Sequence, residues 1–205
     1  MIESFILNVD RLSKAVGHAF AWCIIILTFG TTYEVFVRYA LRDPTSWAFD
    51  MSYIMYGALF LMAGAYALSR NAHVRGDVFY RLWPQRVQAS VELVLYFLFF
   101  FPGVIALMYA GWGYGHEAWR IQEVSVNSPV GVPVWQLKLL IPFAAFFLTL
   151  QGIAEVLRCV VCLRDGAWPP RLHDVEELEV AVAQQHRGSA AERFQSGVGS
   201  RVEVR

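Results

Sequence analysis

VELVLYFLFFFPGVIALMYAGWGY, Val91 to Tyr114, carries a single charged side chain, Glu92, in 24 residues. Wound as an α-helix at about 1.5 Å per residue, such a segment reaches roughly 36 Å, enough to cross a hydrocarbon layer of about 30 Å. A helix of a soluble domain needs one apolar stripe, not an apolar surface on every side. The stretch therefore reads as a transmembrane helix, with Pro102-Gly103 as its expected kink. Three more segments read in the same way. The first runs from Ala15 to Tyr33 and continues as helix to Tyr39, without a charge from Ala21 to Phe29; the second covers Trp47 to Leu68, and the last Trp135 to Leu157 with Pro142 inside it. Asp43-Pro44-Thr45-Ser46 supplies a turn before the second span, and a hydroxyl residue there is the expected N-cap. The first run ends in Tyr33-Glu34-Val35-Phe36-Val37-Arg38-Tyr39, with no small-residue cleavage site, so it reads as a retained span and not as a signal peptide.

Composition points the same way. Hydrophobic residues make up 57% of the 205, aromatics 15% and charged residues only 17%, against roughly 25% charged in an ordinary soluble domain. The formal net charge is zero, so no basic surface invites nucleic acid. Cys23, Cys159 and Cys162 lie in or beside apolar segments and do not form a disulfide framework. The fold class expected is an all-α membrane protein with four transmembrane helices.

Positive charge sets the expected orientation, because cytoplasmic loops retain Lys and Arg. Arg11, Lys14, Arg70, Arg75, Arg81, Arg86, Arg158, Arg164 and Arg171 collect on one side, against Arg38, Arg42, Arg120 and Lys138 on the other. Both termini are thus expected in the cytoplasm, the chain crossing the membrane four times. Trp47, Trp112, Trp119 and Trp135 fall at the outer ends of their spans, where indole favours the headgroup layer. Residues 1–14 set Ile2, Phe5, Ile6, Val9 and Leu12 on one face against Glu3, Asn8, Asp10 and Arg11, which suits a helix lying in the inner interface. Residues 15–164 form the four-helix domain, and 165–205 a polar cytoplasmic tail, partly disordered.

Catalytic chemistry finds little footing, and the chain is not expected to be an enzyme. A membrane anchor of a respiratory complex carrying haem between two histidines is the alternative reading, but His18, His73 and His116 fall at different depths. No cofactor is expected. Cys159-Val160-Val161-Cys162 lacks the second pair that a structural zinc site needs. Gly111 and Gly115, four apart, serve either close helix approach or a turn at the span's end. Glu34 and Arg38 share a helical face and can pair, and Asp50 lies in the first turn of the second span near the same surface. These charges either sit in the wet headgroup zone or serve a contact with a partner subunit or a brace between the first two spans. Glu92 and Glu155 fall near the inner ends of the third and fourth spans, and Lys138 near the outer start of the fourth. None reaches the midplane, where a complete ion-coupled carrier keeps its polar groups. The chain reads as support for a transport pathway and not as the pathway.

Several of these residues together resemble a known family. Arg38-Tyr39 closes the first span; Pro44, Trp47 and Asp50 open the second; Gly64-Ala65-Tyr66-Ala67-Leu68 leads to His73-Val74-Arg75-Gly76-Asp77; Ser128-Pro129, Pro133 and Trp135 precede Pro142. The pattern, from about Arg11 to Arg164, is similar to the small, DctQ-type permease subunit of tripartite ATP-independent periplasmic (TRAP) transporters. The family more often has a Glu-containing acidic pair where this chain has Ala48, Phe49 and Asp50. The resemblance implies a scaffolding role beside a large permease subunit, in sodium-driven uptake of an organic acid delivered by a periplasmic solute-binding protein. The candidate subunit-contact or structural residues are Glu34, Arg38, Trp47, Asp50, His73, Arg75 and Asp77, with membrane lipid around the spans.

Overall fold

A computed structural model describes residues 2–71 and 83–169 of the chain. Four helices among the described residues are long and apolar enough to cross a membrane: α1 (Ile2–Leu41), α2 (Ala48–Ser69), α3 (Gln85–Arg120) and α4 (Trp135–Asp165). Among the described residues the only extended pairing is an isolated bridge, Val124 with Pro133, in the α3–α4 connection.

The helices run up and down, as their short connections require. Ser13 near the start of α1 meets Gln151 in the last half of α4, and the Cys162 thiol, further along α4, meets the Gln85 carbonyl at the start of α3. The Tyr66 ring near the end of α2 lies 5.4 Å from the His18 ring in a tilted contact. At the opposite end Lys138, early in α4, lies over the Tyr114 ring late in α3. Helix α4 is the hub: it packs on α1, α2 and both halves of α3, and α1 packs on α2, while α3 rests chiefly on α4. Burial follows from that placement. Ala144, Ala145, Ala154, Cys159 and Cys162 of α4 are buried, whereas α1 and α3 leave Trp22, Phe29, Phe99 and Tyr109 exposed as apolar flanks. Such flanks in a spanning helix face lipid or another membrane chain.

Gly111 and Gly115 serve helix approach. A Cβ on Gly111 would stand 2.8 Å from Ile141 Cγ2, and one on Gly115 would stand 3.1 Å from the Lys138 carbonyl oxygen. The two backbones therefore nearly touch, as small residues allow when packing rather than water exclusion drives association.

Two local expectations need correction, and the helix break expected near Pro102 takes a defined form. Around Pro102 the helix changes winding: Tyr96–Phe100 is a π turn, and α-helix resumes at Phe101. Proline lacks an N–H and crowds the carbonyl four residues back, and a wider turn accommodates both defects. The expected hydroxyl N-cap of α2 is absent: the cap residue is Trp47 with no side-chain cap bond, because Thr45 is drawn away to Glu34. Arg158, read as lying beyond the last span, is inside α4, which continues to Asp165 before Gly166 ends it in a left-handed conformation.

Residues 1–14 were expected to form a helix of their own. The described part of that segment is continuous with the first span, since the α-helix runs unbroken from Ile2 to Phe36. Ile6 and Val9 are buried within the protein. His73, Arg75 and Asp77, and the tail beyond residue 169, lie outside the described residues.

Candidate functional site

Charged side chains gather towards the two ends of the helices and leave a charge-free stretch between them. At the amino-terminal end of α1, five side chains from two helices form one buried network. Arg158 donates from Nη2 to Asp10 and from Nη1 to Glu155 Oε1 at 3.2 Å. Gln151 Nε2 donates to Asp10 Oδ1 at 2.9 Å and to Glu155 Oε1 at 3.3 Å, while Ser13 Oγ donates to Gln151 Oε1 at 2.8 Å. All five side chains are essentially closed to solvent, and Arg158 Nε has no hydrogen-bond partner among the described residues. Spacing explains the assembly: Gln151, Glu155 and Arg158 are four and three residues apart, as one helical face requires, and Asp10 and Ser13 are three apart on α1. Two carboxylates and a guanidinium taken into a poorly hydrated site are tolerable because the opposite charges are bonded to one another and to Gln151. Beside this network Cys159 donates a long thiol contact, 3.8 Å, to Glu92 Oε2 of α3.

At the opposite end, Glu34 Oε1 accepts from Arg38 Nε at 3.0 Å and from Nη2 at 2.6 Å. Its other oxygen accepts the Thr45 N–H at 3.1 Å and the Thr45 hydroxyl. Glu34 thus fixes the α1–α2 connection to α1. Asp50 does not join this pair. It is fully buried, accepts a 2.7 Å hydrogen bond from Ser125 Oγ in the α3–α4 connection, and leaves Oδ2 without a partner among the described residues. Ser125 N–H in turn donates to the Val132 carbonyl at 2.8 Å, and the Val134 N–H donates to the Glu123 carbonyl at 3.0 Å, closing a small hairpin. Lys138 Nζ lies 2.6 and 2.5 Å from the two oxygens of Glu123 and over the Tyr114 ring. Trp47, the cap residue of α2, is exposed.

Of the residues singled out from the sequence, Glu34 and Arg38 are brought together as their spacing predicts. Asp50 is carried to a partner 75 residues away. Sequence reasoning passed over Thr45 as a Glu34 ligand, Ser125, Glu123 and the whole network around Arg158. The signal for the network was present as a polar stripe, Gln151, Glu155 and Arg158, on an otherwise apolar helix. His18 makes a tilted ring contact with Tyr66, and His116 with Trp119; the two histidines stand on α1 and α3, towards opposite ends of the molecule. No cluster of three or more His, Cys, Asp or Glu able to hold a metal occurs among the described residues.

From Ala15 to Tyr33, Met51 to Ser69, Leu93 to Gly115 and Leu139 to Ala154 the four helices carry no Asp, Glu, Lys or Arg. Charged groups thus bind helix ends to one another, and no Asp, Glu, Lys or Arg enters the central stretches of the described spans.

No curated protein matches the chain. Residues 27–162 match the family model described as tripartite ATP-independent periplasmic transporters, DctQ component. The match covers well over half of the chain and includes Glu34, Asp50 and the α4 half of the Arg158 network, but begins after Asp10 and Ser13. With four apolar spans, charged groups confined towards their ends and this match together, the chain belongs to the DctQ family, the small permease subunits of TRAP transporters.

Proposed function

We propose that this chain is the fixed membrane partner of a large TRAP permease subunit, in sodium-driven uptake of an organic acid handed over by a periplasmic solute-binding protein. The observation that carries the reading is the charge-free middle of all four spans. A carrier that moves a carboxylate with sodium needs polar groups or broken helices at mid-depth, because each uncompensated charge there costs about 3 kcal/mol or more. This chain offers rigid ends and apolar flanks, which suit a part that holds still while another moves. Glu34 favours the brace over the partner contact, since both its oxygens are occupied within the chain. Asp50, fully buried, would act on a partner only through the hairpin it holds. Trp47, His73, Arg75 and Asp77 remain our candidates for contacts with the large subunit or with headgroups.

On this reading the chain sits in the bacterial inner membrane with both termini in the cytoplasm, the excess of Lys and Arg at the Asp10 end being retained inside. The test is coexpression with the neighbouring large permease, purification in nanodiscs, and uptake of a labelled organic acid into proteoliposomes with and without a sodium gradient. Copurification and uptake that requires both chains are expected. Failure of the two to copurify, with uptake intact when this chain is left out, would overturn the proposal.

A further inference from the structure

On the flank of the molecule, α1 and α2 part at their Glu34 end to leave a groove of about 400 Å³. Its walls are apolar, formed by Ile26, Phe29, Gly30, Trp47, Met51 and Met55 among others. Gly30 opens it: a Cβ built there would find nothing within 4 Å. From Trp47 to Met55 the groove extends about 12 Å along α2, close to the roughly 15 Å depth of one leaflet's hydrocarbon. In a bilayer such a slot does not stay empty, and apolar filling alone would not select its occupant, since lipid tails are as apolar as the walls.

Selection comes from the rim. Gly30, Glu34 and Arg38 are successive members of one helical stripe, so the guanidinium stands two turns above the glycine. Arg38 has a half-exposed side chain; Nε and Nη2 are used on Glu34, and the Nη1 edge is left for a further anion. Glu34 spends its charge on that pair and on Thr45. Arg42, exposed at the left-handed cap of the helix, adds a second cation against the single carboxylate of Asp43. We infer that the groove holds one acyl chain of a glycerophospholipid, with its phosphate bound by Arg38 and Arg42. Guanidinium groups suit phosphate oxygens through paired N–H donors, and the Trp47 indole belongs at the same headgroup level.

A second apolar groove shows what the rim contributes. Between α3 and α4, Met108, Trp112, Pro142, Phe143, Phe146 and Phe147 line about 450 Å³. The cation one turn from Pro142, Lys138, is consumed by both oxygens of Glu123 and the face of Tyr114. That slot has room for a tail but no free cation at Lys138 for a phosphate.

The inference does not depend on the transport reading, because it is measured on this chain alone. The full-length chain, extracted from native membranes into mild detergent, is examined by native mass spectrometry and by phosphorus content. One glycerophospholipid retained per chain is expected. Gly30→Phe, which fills the groove without meeting protein atoms at its Cβ, should lower retention about tenfold, as should Arg38→Gln with Arg42→Gln, a change equivalent to ~1.4 kcal/mol. Gly103→Phe, at another glycine whose Cβ would meet nothing within 4 Å, should leave retention unchanged, and unaltered far-UV circular dichroism establishes that each variant folds. The inference fails if the wild type retains no phospholipid or if Gly30→Phe retains as much as wild type. It also fails if a photoreactive group attached at Gly30→Cys is captured in native membranes by a protein helix and not by lipid.

Discussion

Replacing Asp10 by alanine removes one of the two carboxylates that hold Arg158. The guanidinium, with no solvent exposure, would keep only Glu155 at 3.2 Å, and Gln151 Nε2 would lose its 2.9 Å acceptor and keep the weaker one at 3.3 Å. Stripping one partner from a buried ion pair in a soluble interior costs about 3–5 kcal/mol, because the remaining charge is left in a poor solvent. Two effects soften the figure here. The network lies near the end of the helices, where a long side chain can reach towards water, and hydrogen bonds between membrane helices average only about 0.6 kcal/mol. A loss of about 2–4 kcal/mol is expected for Asp10→Ala, and roughly half of that for Asp10→Asn, which keeps an acceptor for Gln151. Arg158→Leu combined with Asp10→Ala should cost about 2 kcal/mol less than the sum of the single changes, since the double variant leaves no arginine to strand. The assay is reversible unfolding by SDS in mixed micelles, followed by far-UV circular dichroism. A loss below about 0.5 kcal/mol for Asp10→Ala, or strict additivity in the cycle, would refute the reasoning.

At the other end of the helices, Ser125→Ala would leave both oxygens of buried Asp50 without a donor among the described residues; a loss of about 1–3 kcal/mol in the same unfolding assay is expected. Gly17→Ala would place a methyl group 2.7 Å from Tyr66 Cβ, so it should destabilise by about 1–3 kcal/mol through overpacking. The same change at Gly103, open on all sides, should be neutral or stabilising by up to ~1 kcal/mol from helix propensity; a lower melting temperature for Gly103→Ala than for Gly17→Ala would contradict this. Lys138→Met should cost only about 1 kcal/mol, because Glu123 remains a third exposed and water can screen it, and thermal melts of Lys138→Met and Glu123→Gln should show closely similar shifts.

The four spans were legible because a bilayer imposes a length and an absence of charge that no soluble helix must meet. Glu34 and Arg38 were legible for a local reason, four residues on one helix. Asp50 with Ser125 was not, because the two are joined only once α2 and the α3–α4 hairpin meet, and no local spacing encodes that meeting. Thr45 illustrates competition: a hydroxyl before a helix favours capping, yet a nearby carboxylate makes a stronger, charge-assisted acceptor. Asp10 misled in a different way. Viewed within residues 2–12 it belongs to the wet face of an amphipathic helix. Viewed over the unbroken α1, with Ser13 three residues on, it belongs to the inward face that meets Gln151 and Arg158. The error was one of window length: a buried polar stripe and a solvated one have the same period.

Because α3 rests chiefly on α4, the chain meets a problem of timing during biosynthesis. A ribosome delivers α3 to the membrane with nothing to lean on, and the segment that will receive it is still unmade. The same late segment brings Gln151, Glu155 and Arg158, so Asp10 and Ser13 wait without their partners through the synthesis of three spans. Nascent chains halted before Trp135 should therefore be recognised as unfinished by membrane quality control, and chains that complete α4 should escape it.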